Sequence, residues 1–135
     1  MSNTQTIRDL YAAFLRGDVA TILDHLADDV VWDNSSVGSN ECPWNGNFSG
    51  KANVPGFFKA VGDSLDFGAG VFDPHTFVES GNTVAVVLSL ESRVKKNDRR
   101  VKSDAVHVWT LDDAGLVTRY QHFNDTAKEL AAWKP

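Results

Sequence analysis

"VWTLDDAGLVTRYQHFND", residues 108–125, decides the architecture of this chain. Two runs rich in β-branched and aromatic residues flank "DDAG" at 112–115, the pattern of two strands joined by a tight turn. If Leu111 pairs with Leu116 across a four-residue loop, Trp109 faces Thr118, His107 faces Tyr120 and Ala105 faces His122. Side chains alternate along a strand, so His107, Trp109, Tyr120 and His122 share one face, and Asn124 follows at the same parity. A three-residue loop with Gly115 at a bulge would shift the register by one and flip the faces. Both readings are open at this level.

Working back along the chain, the period of two continues to about residue 70. "VFDPHTFVES" (71–80) reads as a strand with Pro74 at a bulge or edge, and "SGNT" turns it into "TVAVVLSLESRV". "KKNDRR" then turns that strand into the hairpin above. Before residue 70 the period is helical. Ile7, Leu10, Tyr11, Phe14 and Leu15 form one stripe, closed by Gly17, and Asp18 caps a second helix carrying Val19, Ile22, Leu23 and Leu26. A third helix starts at Asn53, with Pro55 in its first turn and Val54, Phe57, Phe58, Val61 and Leu65 on its apolar face. Thr126 and Glu129 match a capping box for a last helix over 126–133. The order is ααβαββββα, an α+β fold with helices on one face of a sheet.

Between the second and third helices lies "VVWDNSSVG", residues 30–38. An apolar strand over 30–33 runs into Asp33 and then into an aperiodic stretch, 34–50, of the kind that forms lids or binding loops. Asp33 closes an Asx turn or stands at the mouth of a cavity as a proton acceptor. His107 is a core histidine bonded to a carbonyl or to Tyr120, or a donor to a developing oxyanion. The polar content of the His107 face exceeds what a plain core tolerates, because buried polar groups need partners. A cavity for a small ligand accounts for it.

Composition narrows the field. The 135 residues fit one domain, 1–135. A net charge of −5 argues against nucleic acid as a partner. No apolar run nears the roughly 20 residues of a membrane span, and "MSNTQTIRDL" lacks the features of a secretory leader. Cys42 is the single cysteine, which excludes an internal disulfide and fits a reducing cytoplasm. Asp33, His107 and His122 lack the close spacing of a metal motif, and no phosphate loop or nucleophile elbow occurs. Neither metal nor cofactor is expected.

Three segments, "LYAAFLRGDVATILDHLADDVVWD", "FSGKANVPGFFKAV" and "VWTLDDAGLVTRYQHFND", resemble the SnoaL-like, ketosteroid-isomerase-like branch of the nuclear-transport-factor-2-like superfamily. The resemblance implies a cone: a strongly curved mixed or antiparallel sheet wrapped around the N-terminal helices and an interior pocket. It favours the register that points His107, Tyr120 and His122 inward, and it implies a homodimer through the outer sheet face. Asp33 falls at the position of the isomerase's general base. The isomerase's oxyanion tyrosine and aspartate correspond to Leu10, one residue before Tyr11, and to His107.

The resulting expectation is a cofactor-free acid–base enzyme of isomerase, cyclase, dehydratase or hydrolase type. Its substrate would be a small hydrophobic carbonyl, hydroxyl or epoxide compound. Asp33 and His107 are the catalytic pair, and Trp32, Tyr11, Phe14, Trp109, Tyr120, His122 and Asn124 form the binding wall. A non-catalytic binding protein with the same pocket is the alternative, and a protein-interaction module the third reading.

Overall fold

A computed structural model describes residues 2–35 and 41–135. Helix α1 spans Asn3–Leu15 and α2 spans Val19–Asp24. Strand β1 (Leu26–Asp33) follows, then a 3-10 turn at Lys51–Asn53 and helix α3 (Val54–Ser64). A four-stranded meander completes the sheet: β2 (Leu65–Ser80), β3 (Thr83–Val94), β4 (Arg100–Leu111) and β5 (Val117–Asn124). Helix α4 (Thr126–Trp133) ends the chain. The sheet order is β1-β5-β4-β3-β2; β1 runs parallel to β5 and the other pairs are antiparallel. This mixed sheet curls around the N-terminal helices, as expected.

Local chemistry explains the boundaries. Ser2 caps α1 by accepting from Gln5 N at 3.1 Å, and Asp18 caps α2 by accepting from Thr21 N at 3.1 Å. Ile7, Leu10 and Tyr11 bury the inner stripe of α1. Leu15, expected in that stripe, is 60% exposed, because it is the last helical residue and no element covers it. Strand β1 begins at Leu26 rather than Val30, and β2 begins at Leu65, which ends the helical face of α3. A register shift between Pro74 and Thr76 marks the expected bulge. Helix α4 is capped by Asp125, which accepts from Lys128 N at 3.1 Å. The Thr126–Glu129 box does not form, and Glu129 turns into the core instead.

The deciding hairpin corrects the pairing while keeping the faces. Its loop is the three-residue version: Asp112 N donates to Leu116 O, and Gly115 takes φ +83°. That loop alone would flip the faces. A second irregularity, between Leu111–Val117 and Thr110–Arg119, inserts Thr118 as an extra residue and shifts the register again. His107 therefore pairs with His122, Trp109 with Tyr120 and Ala105 with Asn124. Two single-residue shifts restore the parity, so His107, Trp109, Tyr120, His122 and Asn124 share the inner face.

The described part of the 34–50 stretch is packed rather than free. Cys42 and Trp44 are 1% and 3% exposed, and Asn34 exchanges both backbone hydrogen bonds with Gly46. The remainder of that expected loop, 36–40, lies outside the described residues.

Candidate functional site

The concave side of the sheet encloses a cavity of about 110 Å³. Its walls are mostly aromatic. Phe14 reaches it from α1, Phe57 and Phe58 from α3, Trp32 from β1, and Phe72, Trp109 and Tyr120 from the meander. Trp32 and Tyr120 pack at 4.2 Å between ring centroids, and Trp109 and Tyr120 at 4.6 Å.

Into this wall is set a chain of hydrogen bonds. Trp109 Nε1 donates to Tyr11 Oη at 2.9 Å, and Tyr11 Oη lies 2.8 Å from His107 Nδ1. His107 Nε2 lies 2.7 Å from His122 Nδ1, with Tyr120 Oη at 3.3 Å from the former and 3.5 Å from the latter. The direction of the chain follows by elimination. Tyr11 Oη already accepts from Trp109, and its own proton has one buried acceptor within reach, His107 Nδ1. A neutral His107 then carries its proton on Nε2 and donates to His122 Nδ1. A neutral His122 in turn carries its proton on Nε2, which has no protein partner among the described residues.

Electrostatics holds both rings neutral. Burial, and then the facing His122, pulls His107 well below its ordinary value, and burial pulls His122 down to about 4. Burial also pushes both tyrosine hydroxyls up; for Tyr11 the Trp109 hydrogen bond pulls back part of the shift. All four groups are uncharged at neutral pH.

A second polar group was not read from the sequence. Glu129, on α4, is 7% exposed and lines the cavity. Asn124 Nδ2 donates to its Oε2 at 2.6 Å. Burial pushes this carboxyl above the usual carboxylate range, and hydrogen bonds from Asn124, Asn45 and Trp44 offset part of the rise. Asn34 also lines the cavity; its Nδ2 donates to Trp44 O at 2.9 Å, which fixes the amide's orientation and turns Oδ1 away. Three buried polar side-chain atoms lack a partner among the described residues: Trp32 Nε1, Asn34 Oδ1 and Glu129 Oε1. The three residues that carry them line the cavity.

Asp33 is not part of this site. In β1 the inner positions are Val30 and Trp32, and Asn34 continues them. Asp33 pairs in parallel register with Gln121, an outer-face residue of β5, whereas Trp32 pairs with Tyr120. Its Oδ1 accepts from Ser35 N at 2.9 Å and from Ser35 Oγ, closing an Asx turn. The expected Asp33–His107 pair across the interior therefore does not assemble. Tyr11, Phe14, Trp32, His107, Trp109, Tyr120, His122 and Asn124 do line the cavity together. The alternation that buries Val30 and Trp32 was the signal for Asn34 over Asp33. Glu129 carried no such signal, since its spacing from Thr126 also fits a cap.

Cys42 lies near Glu129; burial, then the charges of Glu129 and Glu41, push its thiol up to about 11. It is a buried apolar residue here. Among the described residues no group of three or more His, Cys, Asp or Glu side chains is placed to hold a metal ion. Among the described residues no helix is long and apolar enough to cross a membrane.

A curled mixed sheet closed by N-terminal helices over an aromatic cavity defines the nuclear-transport-factor-2-like class. A family model for the SnoaL-like domain matches residues 7–120, and the chain belongs to that family. Solved structures agree over nearly the full length. A protein of unknown function from Burkholderia pseudomallei, described as nuclear-transport-factor-2-like, aligns with a TM-score of 0.86 at 28% identity, covering 100% of both chains. One from Burkholderia xenovorans aligns at 0.83 and 27% identity, covering 98% of this chain and 95% of the other. TerC, co-crystallised with polyporic acid, aligns at 0.82 and 28% identity, covering 98% of each. No curated protein matches the chain.

Proposed function

We propose that this chain binds a small, largely apolar molecule bearing a carbonyl group and uses His122 to stabilise negative charge as it develops on the carbonyl oxygen. The observation that carries the reading is the directional chain from Trp109 through Tyr11 and His107, which leaves a neutral His122 with Nε2–H available at the cavity. A neutral imidazole donor is suited to an enolate or a tetrahedral oxyanion, because it adds no charge that must be neutralised in the ground state. The reaction class is proton transfer next to the carbonyl, of the isomerase or cyclase type. The α-proton passes to solvent base, its electron pair forms the carbon–carbon double bond, and the carbonyl electrons move to the oxygen held by His122. Co-crystallisation of TerC with polyporic acid supports a ligand pocket in this branch of the fold.

Acetophenone in D2O tests this directly. Proton NMR should show its methyl hydrogens exchanging faster with the protein than in buffer, and H122N should abolish the gain while binding persists. Binding without accelerated exchange in the native protein would leave the second reading, a non-catalytic carrier. The placement of Asp33 in a turn favours that reading, since it removes the expected base.

The outer face supports a homodimer. Val78, Ala85 and Val108 pair across it, and beside them lie Val87, Val106 and Phe123; Val78 and Phe123 are 58% and 44% exposed. Sedimentation should return twice the monomer mass, and V78K with F123K should return the monomer.

A further inference from the structure

We propose that the bulge of β2 at residues 67–70 is the doorway of the cavity, with the Phe67 ring as its leaf. The inference rests on the cavity and not on the chemistry proposed inside it. Strand β2 pairs with β3 at Asp66–Arg93 and again at Val71–Glu91, so four residues of β2 stand opposite Ser92 alone. None of the four pairs with β3, and a run of that kind arches out of the ladder. Leu90 and Ser92 line the cavity on the β3 side of the arch, and Leu65, Phe67 and Phe72 line it on the β2 side. The interruption therefore lies in the cavity wall.

The arch is fixed at both feet and free between them. At one foot the Asp66 carboxylate pairs with Arg93 Nη2 at 3.3 Å, and its Oδ1 accepts from Gly68 N at 2.8 Å. At the other, Gly70 lies so close to Glu91 that a Cβ would come within 2.1 Å of the carbonyl oxygen. Between the feet, Gly68 is exposed and has no side chain to hold it. Phe67 is half-buried, and its ring meets two others edge-on, Phe72 at 5.5 Å and Phe14 at 6.4 Å between centroids. Turning it outward breaks those two contacts and no pair of the ladder.

The other aromatic walls are held. Those of β1, β4 and β5, and Phe72 of β2, belong to paired strand residues, and those of α1 and α3 belong to helices. Trp44 lies outside both, but it is 3% exposed, its carbonyl accepts from Asn34, and its ring packs against Trp133 at 5.3 Å. An enclosed ligand enters and leaves through the least stable part of its wall, which here is the arch.

The kinetics of a probe without a carbonyl test the doorway. Benzene, which enters an engineered apolar cavity of about 150 Å³, is titrated into the full chain, and amide line shapes at the cavity return kon and koff. F67A should raise kon by about fivefold or more, the factor that loss of two ring contacts releases. In G68A the added methyl group meets only Asp66 Oδ1, at 3.2 Å, well away from the ligand. It narrows the conformations open to the raised segment, so kon and koff should fall together by about two- to fivefold with Kd unchanged. Native kon in F67A, or native rates in G68A, would overturn the doorway; if F67A does not fold, G68A decides. Benzene that shifts no cavity amide of the native protein would overturn it too, since there would be no entry to gate. The expected benzene kinetics without acetophenone exchange would reject the proposed chemistry and keep the doorway.

Discussion

Tyr11 Oη lies 2.8 Å from His107 Nδ1, joining helix α1 to strand β4 across 96 residues of chain. The same oxygen accepts from Trp109 Nε1, so one hydroxyl both receives and gives a buried hydrogen bond. Removing it leaves Trp109 without an acceptor and His107 without a donor. Y11F should cost about 1–3 kcal/mol in urea denaturation. It should also release the His107 tautomer, visible as a change in the imidazole nitrogen shifts of both histidines. Native-like nitrogen shifts in Y11F would refute the assigned direction of the chain.

The histidine pair makes stability depend on pH. Both rings are held below their ordinary 6.5, His122 down to about 4. Between these values the unfolded chain takes up protons that the folded chain refuses. Stability is fully present above pH 6.5 and falls as pH drops through the window, by up to about 1.4 kcal/mol per pH unit for each histidine. Glu129 acts in the opposite sense: its raised value favours the folded state below the ordinary 4.5, a gain lost as pH rises through the folded value. Denaturation of the native protein and H122N at about pH 5 and about pH 7.5 separates these terms. The gap between the two proteins should differ at the two pH values; a constant gap would contradict a neutral His122.

Asp33 serves the turn, so changing its charge should not touch the cavity. D33N keeps an oxygen that can accept from Ser35, and its stability should stay within about 0.5 kcal/mol of native. Acetophenone exchange and affinity should be unchanged. A loss of exchange with binding retained would restore Asp33 as the proton acceptor.

Gly70 sits where β2 departs from register with β3, and a methyl group there would lie 2.1 Å from the Glu91 carbonyl oxygen. Backbone cannot yield as a side-chain tip can. G70A should destabilise by about 1–3 kcal/mol or unpair β2 locally, read by denaturation and by amide exchange at Val71 and Phe72.

Much of this architecture was readable because the relevant periodicities are local. The stripe Ile7, Leu10, Tyr11 marks α1 within a few turns, and over residues 83 to 94 every second residue is buried except Leu90, which is half-buried. Which face His107 and Tyr120 share was also readable, but through a compensation: the loop type and the Thr118 irregularity each shift the register, and their effects on parity cancel. The direction of Asp33 was legible as well, since the alternation that buries Val30 and Trp32 sends Asp33 to the opposite face of β1, and pairing with Gln121 of β5 makes that face the outer one. Glu129 was hidden. Its spacing from Thr126 satisfies a capping box, and only the position of Asp125, one residue earlier, frees it for the interior.

The parallel pairing of β1 with β5 has a consequence for biosynthesis. Leu26 finds its strand partner in Val117, which leaves the ribosome only after the whole intervening chain. At about 5–20 residues per second that wait lasts roughly 5–20 seconds. During it the meander can zip from adjacent strands, while the apolar stripe of α1 has no finished sheet to cover it. The first helix to be made is among the last to be seated, and the nascent protein relies on what shields Ile7, Leu10 and Tyr11 until then.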